Sequence, residues 1–383
     1  MFKLAGSKLR TVEKLTQDPH HHSLLSSCRF ILLQHLFEDT LEFVQYLTQA
    51  GVAIDYILGK EYTSESDILE QLQKLSIQVK QVQYESIESN DFLYQILIQS
   101  LQKAKQHQQK VIVHELGGYF SKAIQQIPTE LKPYFAGVVE GTTFGYQRYK
   151  QIEASLDVPI MHVARSSLKE IESYFVGESI TLAFNNMMRS LGLTIQGAEA
   201  LVVGYGMIGE KIAKSLQLNL IHPTVYDKDP LKMLKARIEG YRILRPHQSL
   251  DQYDLVISAT GNYAVSLDMM RAFKSGVILI SGGSKDIEFD RIALEKAASK
   301  VRQLRPEVKV YTLNQKEIIL LSNGTALNFR ERSVPTEIFD IVYAEILTCI
   351  IELLKNQSIH AGLSELGELQ RSQIASYWLE LHG

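Results

Sequence analysis

The sequence predicts an α/β protein of two domains, in which a doubly wound, mainly parallel sheet is inserted into a second α/β layer structure. Three observations carry this expectation. A chain of 383 residues exceeds one ordinary hydrophobic core, so two domains are expected, each able to bury a sizeable interior. Short β-rich runs alternate with amphipathic helical stretches, the pattern of strands joined by crossover helices. Near the middle, an apolar strand, Ala200-Leu-Val-Val, runs into three spaced glycines, Gly204, Gly206 and Gly209, and then into a helix.

In chain order, strands are expected at 29–33, 52–58 and 77–82, separated by helices over 38–50 and 66–75. A helix over 92–105, a strand at 110–114, the turn Gly117-Gly118 and strands at 134–139 and 158–163 complete the first domain, read as residues 1–178. The Gln-rich stretch 99–110 has Ile, Leu and Ala interleaved, so it reads as a solvated helix rather than low complexity. A helix over 179–191 leads into the second domain, 179–335, whose further strands are expected at 223–227, 253–262, 277–283, 308–313 and 318–321. Residues 336–356 form a long amphipathic helix that either returns the chain to the first domain or makes a subunit interface; 336–383 is read as the returning segment.

The glycine turn carries the most chemistry. Gly204 permits the tight turn, Gly206 lets the backbone approach a pyrophosphate, and Gly209 allows close helix packing, with Met207 and Ile208 opening the helix whose N-terminus faces the phosphates. Asp227 ends the next strand near the spacing at which a carboxylate meets the adenosine ribose hydroxyls. An acid there accepts from a free ribose diol and repels a 2′-phosphate, which favours NAD over NADP. The second domain is therefore read as a Rossmann-type NAD-binding parallel sheet.

Bulk composition narrows the partners. Lys plus Arg total 40 against 43 Asp plus Glu, a net charge of −3, which gives no footprint for nucleic acid or an acidic membrane. No apolar run approaches the ~20 residues of a membrane span, and residues 1–10 lack the apolar core of a secretory signal. Cytoplasmic location and a small-molecule substrate are expected. Cys28 and Cys349 lie far apart and read as buried thiols. His20-His21-His22 has no companion ligand spacing and reads as a mobile loop, so no metal is expected.

Several segments, in order, resemble the S-adenosylhomocysteine hydrolases. Val139-Glu-Gly-Thr142-Thr143-Phe-Gly145 is similar to that family's Glu-Glu-Thr-Thr-Thr-Gly. Gly204-Tyr-Gly-Met-Ile-Gly209, Asp227-Lys-Asp-Pro230, Glu239-Gly-Tyr241, Ser258-Ala-Thr-Gly-Asn262, Ser281-Gly-Gly-Ser284 and Asp286-Ile-Glu-Phe-Asp290 follow. The resemblance implies a bilobed fold, tightly held NAD, and a cycle that oxidises a ribose hydroxyl, eliminates homocysteine, adds water and returns the hydride. It implies cofactor contacts from Thr142 and Thr143 on the nicotinamide ribose side, Asp227 on the adenosine ribose, Thr260, Gly261, Asn262, Gly282 and Gly283 beneath the dinucleotide, and Asn328 on the carboxamide. It also implies a homo-oligomer, although the family's terminal Lys and Tyr have no equivalent before Gly383.

The acid–base positions fare differently. The family's catalytic His falls at Phe30, the second acid of Asp-Asp-Gly-Gly at Leu116, the second Glu of Glu-Glu-Thr at Gly141, an Asn at Ala164 and a His at Ser284, while Lys169 matches the lysine that assists oxidation and Ser173 stands where an Asp is expected. Lys169 is either a base in a closed cleft or a solvated charge. Glu140 and Glu115 either contact a substrate hydroxyl or serve backbone amides. His114 and His162, at strand ends, either replace a lost acid–base group or pack. The leading expectation is NAD-dependent redox chemistry on a secondary hydroxyl of a nucleoside or sugar-like substrate, with Lys169 and Glu140 as catalytic candidates. The alternatives are an inactive NAD-responsive binding protein and ordinary hydrolase activity with shifted residues.

Overall fold

The structure, a computed structural model, describes residues 9–83, 87, 91–283, 287–330, 333–355 and 360–383. Ser284 and Asp286 of the motifs above, and most of the N-terminal stretch 1–10, lie outside these residues. The chain divides into two compact units, Met1–Lys169 with Thr336–Gly383, and Glu170–Pro335. The division falls inside one helix, Ser167–Ser190, which begins twelve residues before the expected 179. Apolar spacing marks only its later turns; its start is set by Ser166, whose hydroxyl accepts from the Lys169 N–H at 3.0 Å.

The first unit is built on seven parallel strands: β1 (Cys28–Leu36), β2 (Ala53–Ser64), β3 (Gln78–Val82), β4 (Lys110–Glu115), β5 (Phe135–Glu140), β6 (Pro159–His162) and β15 (Gly362–Ser364), in the order β15-β6-β5-β4-β1-β2-β3. Being buried on both faces, β1 reads as an almost continuous apolar run rather than an alternating one. Its side chains still alternate between layers: Phe30 and Leu32 join the core that contains the helix Thr336–Leu354, and Ile31 and Leu33 the core on the opposite face. Both cysteines are buried. The three histidines sit not in a loop but in a short helix, Pro19–Leu25, because Asp18 accepts from the His20 and His21 N–H groups and Pro19 occupies the first helical position.

The N-terminal helix Arg10–Gln17 has Leu9 at its N-cap, which offers no side-chain acceptor. Its cap comes from far along the chain: the Asp340 carboxylate accepts from Thr11 N at 2.8 Å and Val12 N at 3.1 Å, with His382 Nε2 at 2.8 Å. Asp340→Ala should therefore cost the first unit about 2 kcal/mol, read as a lower urea midpoint; an unchanged midpoint would contradict the capping role.

The second unit has eight strands: β7 (Glu199–Val203), β8 (His222–Tyr226), β9 (Arg242–Ile243), β10 (Leu255–Ser258), β11 (Val277–Ser281), β12 (Lys300–Arg305), β13 (Val308–Leu313) and β14 (Lys316–Leu321), ordered β12-β13-β14-β11-β10-β7-β8-β9. From β14 to β9 the pairing is parallel, whereas β12 and β13 close one edge antiparallel. β12 is absent from the expected elements because Lys-Val-Arg-Gln-Leu-Arg is exposed along its whole length and shows no buried face. Ala200 and Val202 face one core and Leu201 and Val203 the other. Among the described residues no helix is long and apolar enough to cross a membrane.

Candidate functional site

Each sheet has a point where the strand order reverses, and ligands of open α/β sheets bind beyond the carboxyl ends of the strands there. In the second unit this point lies between β7 and β10, and the glycine turn fills it. Gly204 has φ +96°, and a Cβ on it would lie 2.8 Å from the Ala259 carbonyl oxygen. A Cβ on Gly209 would lie 1.9 Å from the Gly204 carbonyl oxygen. Gly206 differs: its would-be Cβ meets only Lys232 Nζ, at 3.7 Å. The helix Met207–Leu218 begins there without a side-chain cap, leaving first-turn N–H groups for a ligand.

Asp227 closes one side. Its carboxylate accepts from Tyr205 N at 2.7 Å and Asp229 N at 2.9 Å and lies 3.6 Å from Lys232 Nζ. On the other side the loop after β10 is held by a residue to which the sequence reading gave no role. Glu288 is fully buried and accepts from Ser258 Oγ at 2.6 Å, Thr260 N at 2.9 Å and Gly261 N at 2.7 Å. A Cβ on Gly283 would come within 2.3 Å of the same carboxylate, and one on Gly282 within 2.8 Å of Ile212. Burial pushes the Glu288 carboxyl up. Asn262 is exposed, and its N–H donates to Thr260 Oγ1 at 3.0 Å. Asn328 is buried, donating to Ser333 Oγ at 2.7 Å. An open backbone at Gly206, free helix N–H groups and an acid at the end of β8 together fit a dinucleotide.

In the first unit the order reverses between β4 and β1. The strand ends there carry His35 from β1 and His114 and Glu115 from β4, followed by Leu116 and, after β5, Gly141. Phe30, where the resemblance sets a histidine, lies in mid-strand within the core, 1 % exposed; the titratable residue at the end of β1 is His35. Its Nδ1 pairs with Thr63 Oγ1. Burial, then the Lys60 and Lys169 charges, hold His35 well below the usual imidazole range.

Burial, with a smaller contribution from Lys169, likewise pushes His114 down to about 4 against the opposing pull of the Val139 carbonyl. The same ammonium acts on Glu345, which accepts from Ser166 Oγ at 2.6 Å and lies 3.3 Å from Arg371 Nε. Lys169, half-buried in the first turn of its helix, is thus electrostatically linked to both strand-end histidines. Lys60, 3 % exposed at the end of β2, is a second cation on His35 that the sequence reading did not single out.

Glu140 and Glu115 sit deeper. Glu140 is fully buried and accepts from Gly118 N at 2.8 Å, Gly117 N at 3.1 Å, Thr142 N at 2.6 Å and Thr142 Oγ1 at 2.7 Å. Glu115 accepts from Tyr119 N at 2.5 Å, Phe120 N at 3.2 Å and the Tyr149 hydroxyl. Burial raises both carboxyls, and for Glu115 the Glu140 charge adds to it. Thr142 also caps its own helix by accepting from Gly145 N, and Thr143 is exposed. His162 ends β6 with its ring 4.7 Å from that of Tyr146. Ser173 is buried and donates to Glu170 O at 2.6 Å; Ala164 is buried and apolar.

Residues 173–333 match the S-adenosyl-L-homocysteine hydrolase NAD binding domain. An adenosylhomocysteinase of Saccharolobus solfataricus is 27% identical over 330 residues, covering 84% of this chain and 76% of its own. An S-inosyl-L-homocysteine hydrolase of Methanocaldococcus jannaschii is 25% identical over 356 residues, covering 91% and 83%. Among solved structures, a transhydrogenase of Sinorhizobium meliloti aligns over 86% of this chain and 96% of its own at 12% identity, with a TM-score of 0.38. Through this domain the chain is similar to the S-adenosyl-L-homocysteine hydrolases, and the domain indicates NAD as its cofactor.

Proposed function

We propose that this protein oxidises a secondary hydroxyl of a nucleoside or sugar-like substrate. The relatives named for adenosyl- and inosylhomocysteine support a nucleoside. When bound, NAD supplies the hydride acceptor, held by Gly204, Gly206, Met207, Ile208 and Gly209 at the pyrophosphate and by Asp227 at the adenosine ribose. Thr260, Gly261, Asn262, Gly282 and Gly283 line its other side, and Asn328 contributes at the nicotinamide end. Lys169, as the neutral amine left once its ammonium has given a proton to solvent, receives the hydroxyl proton as the substrate is oxidised.

The observation that carries this reading is the dinucleotide turn, with an open backbone at Gly206, an uncapped helix N-terminus and Asp227 after β8, in a unit that matches an NAD-binding domain. Burial keeps the imidazoles of His35 and His114, at the first unit's strand-order reversal, neutral. Elimination and water addition need further acids and bases, and Leu116 and Gly141 supply neither. The reading therefore stops at oxidation. Those same two residues favour a second reading, an NAD-responsive binding protein without turnover, in which NAD changes partner affinity and no hydride moves.

The test is to purify the protein with NAD and follow the near-ultraviolet absorbance of NADH on adding adenosine or S-adenosylhomocysteine. NADH should appear with the wild type, and Lys169→Met should slow it by about 10²- to 10⁴-fold while NAD stays bound. NAD that binds but is not reduced by any hydroxyl substrate overturns the oxidation and leaves the binding protein.

A further inference from the structure

Among the described residues, few buried side-chain polar atoms lack a hydrogen-bond partner, and Nε2 of His114 is one of them. The ring is fully buried, with Nδ1 2.9 Å from the Val139 carbonyl oxygen. A carbonyl only accepts, so the proton sits on Nδ1 and Nε2 presents a bare lone pair. Folded proteins rarely leave such an acceptor unused, because water is given up with nothing in return. The lone pair is at the carboxyl end of β4, beside the reversal of strand order. The ring's other neighbour is a gap in the chemistry: a Cβ built on Gly141 would be 3.7 Å from His114 Cε1 and 2.4 Å from Leu116 Cδ2. Gly141 and Leu116, the residues that border this space, offer no polar side-chain atom. Leu116 is half-buried, so the side chain that borders the imidazole on this side reaches the surface.

We propose that Nε2 of His114 is the acceptor for a hydroxyl of the bound substrate and so determines which hydroxyl pattern this protein accepts. The proposal rests on the nucleoside reading above and adds the residue that reads the sugar. Burial of the ring fits this role, since it disfavours the imidazolium and preserves the acceptor. His114 thus differs in kind from Lys169: it holds a hydroxyl in place by accepting a hydrogen bond, without needing to carry the proton away.

The experiment compares adenosine with 2′-deoxyadenosine and 3′-deoxyadenosine by calorimetric titration of the NAD-loaded wild type, His114→Asn and His114→Gln. An Asn amide can still donate to the Val139 carbonyl but ends short of the Nε2 position; a Gln amide reaches that position. The wild type should prefer adenosine over one deoxy analogue by about three- to tenfold, the worth of one neutral hydrogen bond. His114→Asn should bind both alike, and His114→Gln should recover part of the preference. In ¹⁵N spectra of histidine-labelled wild type, adenosine should move the Nε2 resonance of His114 and leave Nδ1 in place. An Asn variant with wild-type melting temperature and undiminished preference overturns the proposal while leaving the nucleoside reading intact. Failure of the wild type to bind adenosine overturns both.

Discussion

Gly206→Val should leave the free protein as stable as the wild type and lower its NAD affinity about 100-fold or more, close to 3 kcal/mol. The backbone at Gly206 is extended, φ −87° and ψ −165°, which any L-residue adopts. A side chain there meets only the tip of Lys232, at 3.7 Å from its first atom, and a lysine tip moves at little cost. Nothing in the free protein opposes the substitution, so the change in unfolding free energy should stay within about 0.5 kcal/mol. The space the valine fills is the space through which a pyrophosphate reaches the backbone. Gly209, three residues on, has no such freedom, because its would-be Cβ lies 1.9 Å from a carbonyl oxygen; its constraint is packing rather than ligand approach. Thermal melts with and without NAD separate the two. Wild type should gain stability from NAD by mass action, and Gly206→Val should melt at the wild-type temperature without gaining any. A valine variant that still binds NAD within threefold of wild type would remove the dinucleotide from this turn.

Why that turn was legible in the sequence, and the first unit's site less so, follows from what each depends on. Gly204, Gly206 and Gly209 act through backbone geometry within six residues, and glycine is the residue that such geometry demands, so spacing alone exposes them. Asp227 is likewise fixed by the length of one β-α-β unit. His35 depends on where β1 ends, and the pairing of β1 with β2 shifts register between Gln34 and Leu36. An apolar run gives no sign of that shift, and matching by motif sets the histidine position at Phe30, in the middle of the strand. Glu288 was visible as one letter of a motif, but its bonds to Ser258, Thr260 and Gly261 span about thirty residues of chain. Lys60 looks like any surface lysine until the sheet buries it. Most strands were legible because β-branched runs between helices mark parallel sheets; the two- and three-residue edge strands β9 and β15 were too short to show a pattern, and β12 was not legible because an exposed antiparallel edge carries no apolar face.

Glu140→Ala should destabilise the first unit by about 3 kcal/mol or more, because it strands the buried N–H groups of Gly117, Gly118 and Thr142 at roughly 1 kcal/mol or more each. The loop has no alternative partner for them: Gly118 holds φ +65°, and a Cβ on Gly145 would overlap the Glu140 carboxylate at 2.1 Å, so the chain is wrapped tightly around this one group. The neighbouring Glu115 makes the anchor sensitive to pH. Burial first, then the Glu140 charge, push Glu115 up to about 8. An acid whose pKa is raised on folding holds its proton in the folded state after the unfolded chain has lost it, so its contribution to stability is present at low pH and is lost as pH rises through the folded value.

His35 and His114 act in the opposite sense, since both are held neutral and favour folding as pH rises toward the ordinary imidazole value of 6.5. Above 6.5 their effect is complete, so the window from there to about 8 isolates the carboxyl pair, and the urea midpoint of the wild type should fall across it. In Glu140→Ala the like charge is gone, Glu115 moves down, and the midpoint should be lower throughout but flatter over the same window. Glu140→Gln discriminates between anchoring and catalysis, because its amide NH₂ confronts N–H donors that the carboxylate had accepted. If Glu140 anchors the loop, this nearly isosteric change lowers the midpoint; if it serves substrate alone, the midpoint holds while turnover falls.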